Sequence, residues 1–242
     1  MDQPDARARL VVEALPEAET LCRVGGEEAA HARARRLRPG DPVVLVDGSG
    51  REARGRVVRF SRGALEVSVE AVLSPDGPAH PPVHLLVAAV RSERLSWIVE
   101  KATELGASRV TLVTSERTQS FRARDTIAAR LSRVAREAAK QTGAARWTAV
   151  EGPYPLSEAL RGEASSTPQI HDPSGEPVPA TLDPAPAALL VGPEGGWTER
   201  ELADALAAGW LAVSLAAGKL RAETAAVAGL ALARTALARV PH

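Results

Sequence analysis

AALLVGPEGGWTERELADALAAGWLAVSLAAGKLRAETA, residues Ala187 to Ala225, holds two apolar runs that each break into a glycine-bearing loop, with one short helix between them. The first run, Ala187-Ala188-Leu189-Leu190-Val191, stops abruptly at Gly192-Pro193-Glu194-Gly195-Gly196. An apolar run of that length bounded by turn residues reads as a fully buried strand of a parallel sheet. Thr198 with Glu201 three residues later has the spacing of a capping box. Trp197 and Leu202 stand where a hydrophobic staple closes it, and Gly209 is placed to end the helix. The second run, Trp210 to Leu215, gives way to Ala216-Ala217-Gly218 and then to Lys219-Leu220-Arg221-Ala222-Glu223-Thr224. Ligands in α/β folds bind beyond the carboxyl ends of strands, so these two loops form the expected binding site.

The rest of the chain sets the bounds. Its 242 residues suffice for one large domain or a small one with a medium one. Thirty basic residues balance thirty acidic ones, which argues against a generally adhesive nucleic-acid binder and leaves any docking face to local clusters. Cys22 is the single cysteine, so there is no disulfide framework and no cysteine-based zinc site. No stretch approaches the ~20 apolar residues of a membrane span, and Met1-Asp2-Gln3-Pro4-Asp5 carries no apolar signal core. These features predict a soluble, cytoplasmic protein.

Upstream, residues 7 to about 73 read as short strands and turns. Val43 to Val46 precedes Asp47-Gly48-Ser49-Gly50, and Leu65 to Glu70 alternates strictly, as a half-buried strand does. Asp47-Gly48 is a hairpin signal; the glycine-rich first loop of a Rossmann site is the competing reading, but it requires a helix where Arg51 to Val58 has strand-like spacing. His31, Arg33, Arg35, Arg36 and Arg38 form either a solvated helix or loop or a phosphate-contacting patch. Ser74 to Pro82 is the expected interdomain linker. Beyond it, strands at Val83–Val90 and Val110–Val113 alternate with helices at Arg94–Leu105 and around Ile127, Leu131, Val134 and Ala138. Short strands are expected at Trp147–Val150 and Thr167–His171, a loop over Pro173–Pro186, and a last helix from Ala222 to Ala238. Alternating strands and helices specify an α/β domain with a mainly parallel sheet.

The first loop is neither a Walker loop, since no Gly-Lys-Ser/Thr follows, nor Gly-x-Gly-x-x-Gly. Two glycines after a strand can be just a tight turn, but Lys219, Arg221, Glu223 and Thr224 bring both charge signs to a second strand end. The pair of loops suits an uncharged or zwitterionic adenosyl ligand lying against backbone.

Leu190-Val191-Gly192-Pro193-Glu194-Gly195-Gly196, together with Leu215 and Leu220-Arg221-Ala222-Glu223-Thr224-Ala225, resembles the signature of the small-subunit ribosomal RNA (uracil-N3)-methyltransferase family of the SPOUT superfamily. The similarity extends to Glu100-Lys101-Ala102-Thr103-Glu104-Leu105-Gly106, to Ser115-Glu116-Arg117, and to His31, Arg36, Leu37, Gly40-Asp41 and Asp47-Gly48 upstream. The resemblance implies a PUA-like β-barrel RNA-binding domain over 1–73 and a SPOUT methyltransferase domain with a C-terminal trefoil knot over 80–242. It implies S-adenosyl-L-methionine held by Leu190, Val191, Gly192, Pro193, Glu194, Gly195, Gly196, Ser214, Leu215, Ala216, Leu220, Thr224 and Ala225. It further implies a homodimer that modifies a uridine in the decoding region of small-subunit ribosomal RNA, free or in the assembled subunit, with no metal. RNA contacts are expected from His31, Arg33, Arg36, Arg38, Arg117, Arg146 and Lys219.

Two departures stand out. The family's Leu-Gly-x-Arg-(Ile/Val)-Leu-Arg has Ala216 for its glycine and Gly218 for its first arginine here, and Lys140-Gln141 with Ala144 replaces Glu-Gln followed by arginine; Arg146 or Lys219 is the candidate substitute. Uracil N3 must lose its proton before it attacks a methyl group. Arg221 is therefore expected to hold charge on the base, and Glu194 or Glu223 to take the proton. Helix-terminal charge is the structural alternative for Glu223. A non-catalytic RNA-binding or ribosome-assembly factor retaining the fold is the alternative function, and a nucleotide- or sugar-handling α/β enzyme a third.

Overall fold

The computed structural model describes residues 6–73, 81–88, 92–118, 124–163, 167–178, 187–216 and 218–238. The chain divides into two units, Met1–Pro78 with Ala139–Trp147, and Ala79–Ala138 with Thr148–His242. The sequence reading placed 139–147 in the C-terminal domain. They belong with the N-terminal unit because Gly50 N donates to Ala145 O (3.2 Å), Trp147 N to Gly48 O (3.2 Å), and Lys140 pairs with Glu28 at 2.6 Å. Most of the expected linker, residues 74–80, lies outside the described residues.

The N-terminal unit consists of β1 (Ala8–Val11), β2 (Leu21–Gly25), α1 (Gly26–Ala34), β3 (Pro42–Val46), β4 (Glu52–Ser61) and β5 (Ala64–Leu73). Its sheet runs β1-β3-β4-β5-β2, parallel between β1 and β3 and antiparallel elsewhere. Asp47-Gly48 does make the β3–β4 hairpin, with Val46 opposite Glu52 and with Gly48 and Gly50 at φ +82 and +96. No helix follows, so the Rossmann reading falls. In β5, Leu65, Val67 and Val69 face the core, giving the period-two burial expected of it. Helix α1 was not expected as such. It packs against β1, β2 and β5, and Glu28 accepts a hydrogen bond from Val11 N at 3.1 Å.

The second unit comprises β6 (Val83–Ala88), α2 (Ser92–Glu104), β7 (Arg109–Thr114), α3 (Arg124–Thr142, its end in the first unit), β8 (Ala149–Pro155), α4 (Leu156–Gly162), β9 (Thr167–Pro177), β10 (Ala187–Val191), α5 (Glu199–Ala207), β11 (Leu211–Ser214) and α6 (Ala222–Ala238). Six parallel strands lie in the order β11-β9-β10-β6-β7-β8. One face of the sheet packs through Leu85, Val87 and Leu189 against α2, α3 and α6; the other packs through Leu86, Ile170 and Leu190 against α4 and α5. This two-sided burial is why β10 reads as an unbroken apolar run and β6 as one interrupted only by His84.

Helix α6 lies close to the sheet because Gly229 has no side chain: a Cβ there would overlap Leu189 Cδ2. At its far end Arg234 donates to Leu105 O (3.1 Å), to Pro81 O (2.8 Å) and to Gly106 O, tying α6 to the turn that ends α2. Two expectations need correcting. Of the short strand expected over Trp147–Val150 only Ala149 and Val150 are in a strand, as the start of the longer β8, and β9 runs on to Pro177 across a register break opposite Ala212/Val213 where a loop was expected. Gly175 permits that break, since a Cβ would come within 2.6 Å of the Ala212 backbone. Among the described residues no helix is long and apolar enough to cross a membrane.

Candidate functional site

The loop after β10 is fixed from several sides. Val191 ends the strand opposite Val87 of β6. The turn is closed by Gly196 N on Pro193 O (2.9 Å), with Gly196 at φ +71. A Cβ on Gly192 would come within 2.9 Å of the Trp197 indole, so the backbone approaches that ring as only glycine allows. Trp197 is buried and its Nε1 donates to His171 O at 3.0 Å. The capping box forms: Thr198 Oγ1 accepts from Glu201 N (3.2 Å), and Glu201 Oε2 accepts from Thr198 N (2.9 Å). The other Glu201 oxygen accepts from Glu116 N at 2.7 Å. Arg117 donates to Gly195 O (2.8 Å) and Trp197 O (3.1 Å). The turn after β7 is thus bound to the loop after β10.

The second loop leaves β11 at Ser214, whose Oγ donates to Ala216 O (3.0 Å), while Leu215 and Leu220 turn into the core. Lys219 and Arg221 are exposed, and Arg221 O accepts from Ala225 N at 2.9 Å as α6 begins. Glu223 follows in the first turn of α6. A third element joins these two. Arg94, in the first turn of α2, pairs with Glu194 through Nη1 and holds its Nε 3.8 Å from Glu223 Oε1. Glu223 Oε2 is buried with no hydrogen-bond partner among the described residues. Beneath the loops, His171 Nδ1 bonds to Val213 O at 3.2 Å. Burial drives the His171 pKa below the usual imidazole range, against the smaller upward pull of the Val213 carbonyl and Asp172, so the ring is neutral at pH 7.

The structure therefore brings Glu194 and Glu223 together across Arg94, with the two expected cofactor loops at the ends of β10 and β11, β9 lying between those strands, and with Arg221 just before α6. Leu190, Val191 and Ala225 are buried and offer that site backbone alone. His31, Arg33, Arg36, Arg38 and Arg146 lie in the N-terminal unit, Arg117 and Lys219 in the other. Arg33 and Arg117, expected to contact RNA, are both engaged within the protein. Arg33 stacks over Phe60 (5.3 Å to the ring centroid) and donates to Ser61 O and to Ala64 O (3.4 Å). The Arg146 guanidinium lies beside Gly50, where a Cβ would come within 2.7 Å of it. Sequence reasoning missed Arg94, which it saw only as the start of a helix. The available signal was its position just after a strand end, but its relevance depends on β6 lying next to β10.

A family model described as an RNA methyltransferase domain matches residues 78–234, and an RNA methyltransferase PUA domain matches 24–70. The chain belongs to the RNA methyltransferase family. It is 35% identical over 231 residues to ribosomal RNA small subunit methyltransferase E of Mycobacterium bovis, covering 90% of this chain and 88% of that protein. The same-named protein of Synechocystis is 30% identical over 207 residues, covering 82% and 67%. Among solved structures, ribosomal RNA small subunit methyltransferase E of Neisseria gonorrhoeae, bound to S-adenosyl methionine, is 26% identical with a TM-score of 0.84, covering 93% of this chain and 95% of that one. Arg94, Arg117, both loops and Glu223 of this RNA methyltransferase all fall inside the 78–234 match, and the N-terminal sheet carries the PUA-like match.

Proposed function

We propose that this RNA methyltransferase carries a methyl group from S-adenosylmethionine to N3 of a uridine in the decoding region of small-subunit ribosomal RNA. The observation that carries the reading is the convergence of Arg94, Glu194 and Glu223 on two glycine-bearing loops at the ends of β10 and β11. The residues present fit the cofactor. The loops offer backbone and small side chains: Gly192 admits no Cβ beside Trp197, Gly218 has open space around it, and Glu223 Oε2 awaits a donor. Leu190 to Gly196, Ser214 to Ala216 and Leu220 would hold the cofactor, with Thr224 and Ala225 behind them. When bound, it supplies a methyl group already activated on a sulfonium.

The chain's own residues do the rest. Arg221, exposed at the start of α6, neutralises charge on a uracil carbonyl, and a carboxylate of the Arg94 cluster accepts the N3 proton. His31, Arg36, Arg38, Arg146 and Lys219 contact RNA. The protein works in the cytoplasm as a homodimer, with RNA bridging the subunits and the C-terminal segment threaded as a trefoil knot. The position of β10 between β6 and the earlier strand β9 supports that threading.

Calorimetric titration with S-adenosylhomocysteine tests the site, and mass spectrometry of treated small-subunit RNA tests the product. One site per chain is expected, weakened at least tenfold by Gly192→Val, together with a methyl group on N3 of a single uridine. Failure to bind either the cofactor or its demethylated product would leave the fold as an RNA-binding assembly factor.

A further inference from the structure

We infer that Glu223, not Glu194, is the carboxylate that takes the N3 proton, and that Arg94 positions it; the inference rests on the uridine reading above. Glu223 and Glu194 differ sharply in setting. The Glu194 side chain is 54% exposed and makes the closer contact with Arg94, whereas the Glu223 side chain is 18% exposed and stands 3.8 Å from Arg94 Nε through Oε1 alone. An exposed pair is well screened and contributes little. A buried carboxylate oxygen without a donor is costly, and native structures rarely keep one without a use.

The geometry divides the work. Glu194 balances the Arg94 charge from the solvent side, so Arg94 does not act on Glu223 alone. Arg94 attracts one Glu223 oxygen through charge at 3.8 Å, and the other, Oε2, is left as the buried acceptor. The uracil imide N–H is a donor of matching polarity. In the step itself the proton passes from N3 to Glu223 Oε2, and the electron pair left on N3 forms the bond to the methyl carbon. The carbon–sulfur pair stays on sulfur, and the Glu223 carboxylic acid then gives its proton to water. Glu223 is thus a catalytic residue, and Arg94 a positioning residue that acts through it.

Single-turnover methyl transfer and S-adenosylhomocysteine affinity would be measured side by side on the full chain. The variants are Glu223→Gln, Glu223→Asp, Glu194→Gln, Arg94→Ala, Arg94→Lys and Arg94→Ala/Glu223→Gln. Glu223→Gln is expected to slow transfer at saturating RNA by about 100-fold or more, the usual loss for a general base, with ligand affinity within about threefold of wild type. Retained affinity shows that the variant folds, and Glu223→Asp should recover part of the rate. Glu194→Gln should slow transfer by about tenfold at most, through unbalancing Arg94. Arg94→Ala should slow transfer in the wild-type background, add almost nothing to Glu223→Gln, and be partly rescued by Arg94→Lys.

Equal losses from Glu194→Gln and Glu223→Gln would overturn the assignment. A Glu223→Gln defect confined to ligand affinity would do the same, since Glu223 would then hold the cofactor. Additive losses in the double variant would remove Arg94 from the role. If the wild-type protein methylates no uridine N3, the underlying reading fails and this one with it. In every other overturning outcome the uridine reading stands.

Discussion

His171 shows how one side chain can link the binding loops to the stability of the fold. Its ring sits under the loop after β10, bonds to Val213 O, and its own carbonyl receives Trp197 Nε1. Burial lowers its pKa below the unfolded value of about 6.5. Just below pH 6.5 the unfolded chain therefore binds a proton that the native ring refuses. Stability is whole above that pH and is lost as pH falls from there toward the native pKa. Denaturant midpoints at pH 7.5 and 5.5 should fall less in His171→Gln than in wild type; equal falls would show that the ring contributes nothing to the slope. Glu201 makes a second case. Its capping role was legible in the Thr198–Glu201 spacing, but its bond from Glu116 N, eighty-five residues away, was not. Because that carboxylate is buried and takes two backbone donors, Glu201→Ala should cost about 2–3 kcal/mol. Thr198→Ala should cost only about 1 kcal/mol, both read from equilibrium unfolding.

Elements were legible where local signals fix both ends. Helix α5 has its box and its Gly209 (φ +87), and α6 begins and ends where the sequence placed it. Helix α1 escaped because Ala29 and Ala32 are all it buries, and two alanines make no apolar stripe. The length of β9 escaped because a register break hides its period, and only the partner strand β11 shows that the chain continues. Arg94 escaped for a related reason: strand order is non-local, and nothing in the Ser92-Glu93-Arg94 sequence announces a neighbour one hundred residues on. The tight seating of α6 on β10 gives a prediction at this scale. Gly229→Ala forces a methyl group against Leu189 and should destabilise the fold by about 1–3 kcal/mol, the usual cost of overpacking. In a Leu189→Ala background the clash disappears, so the two changes should couple favourably in a double-mutant cycle. Strict additivity would mean that α6 moves away from the sheet at no cost.

The whole molecule carries thirty basic and thirty acidic residues, so its net charge gives RNA no general attraction. Affinity must come from particular cations, and the structure narrows which are available. In the N-terminal unit Arg7, Arg9, Arg51, Arg56 and Arg59 each face an acidic side chain, and Arg33 is held over Phe60 by the β4–β5 turn. Arg36 and Arg38, beyond the end of α1, are exposed and make no ion pair among the described residues. The Arg38 amide, Arg7 and the nearby Arg38 charge stabilise the ionised Asp41, which lowers its pKa against a smaller opposing effect of burial. If Arg36 and Arg38 are the phosphate contacts, replacing both with alanine removes two neutralised charges. For single-stranded RNA that should reduce the slope of log affinity against log salt by about 1.4. The affinity loss should be greatest at low salt and shrink as salt rises. Arg33→Ala should behave differently: the slope stays near wild type while the unfolding midpoint falls, because its guanidinium is bonded within the protein. Filter-binding titrations across a salt series would separate the two. An unchanged slope in the Arg36/Arg38 variant would place the RNA contacts elsewhere in the chain, with Arg146 and Lys219 the next to test.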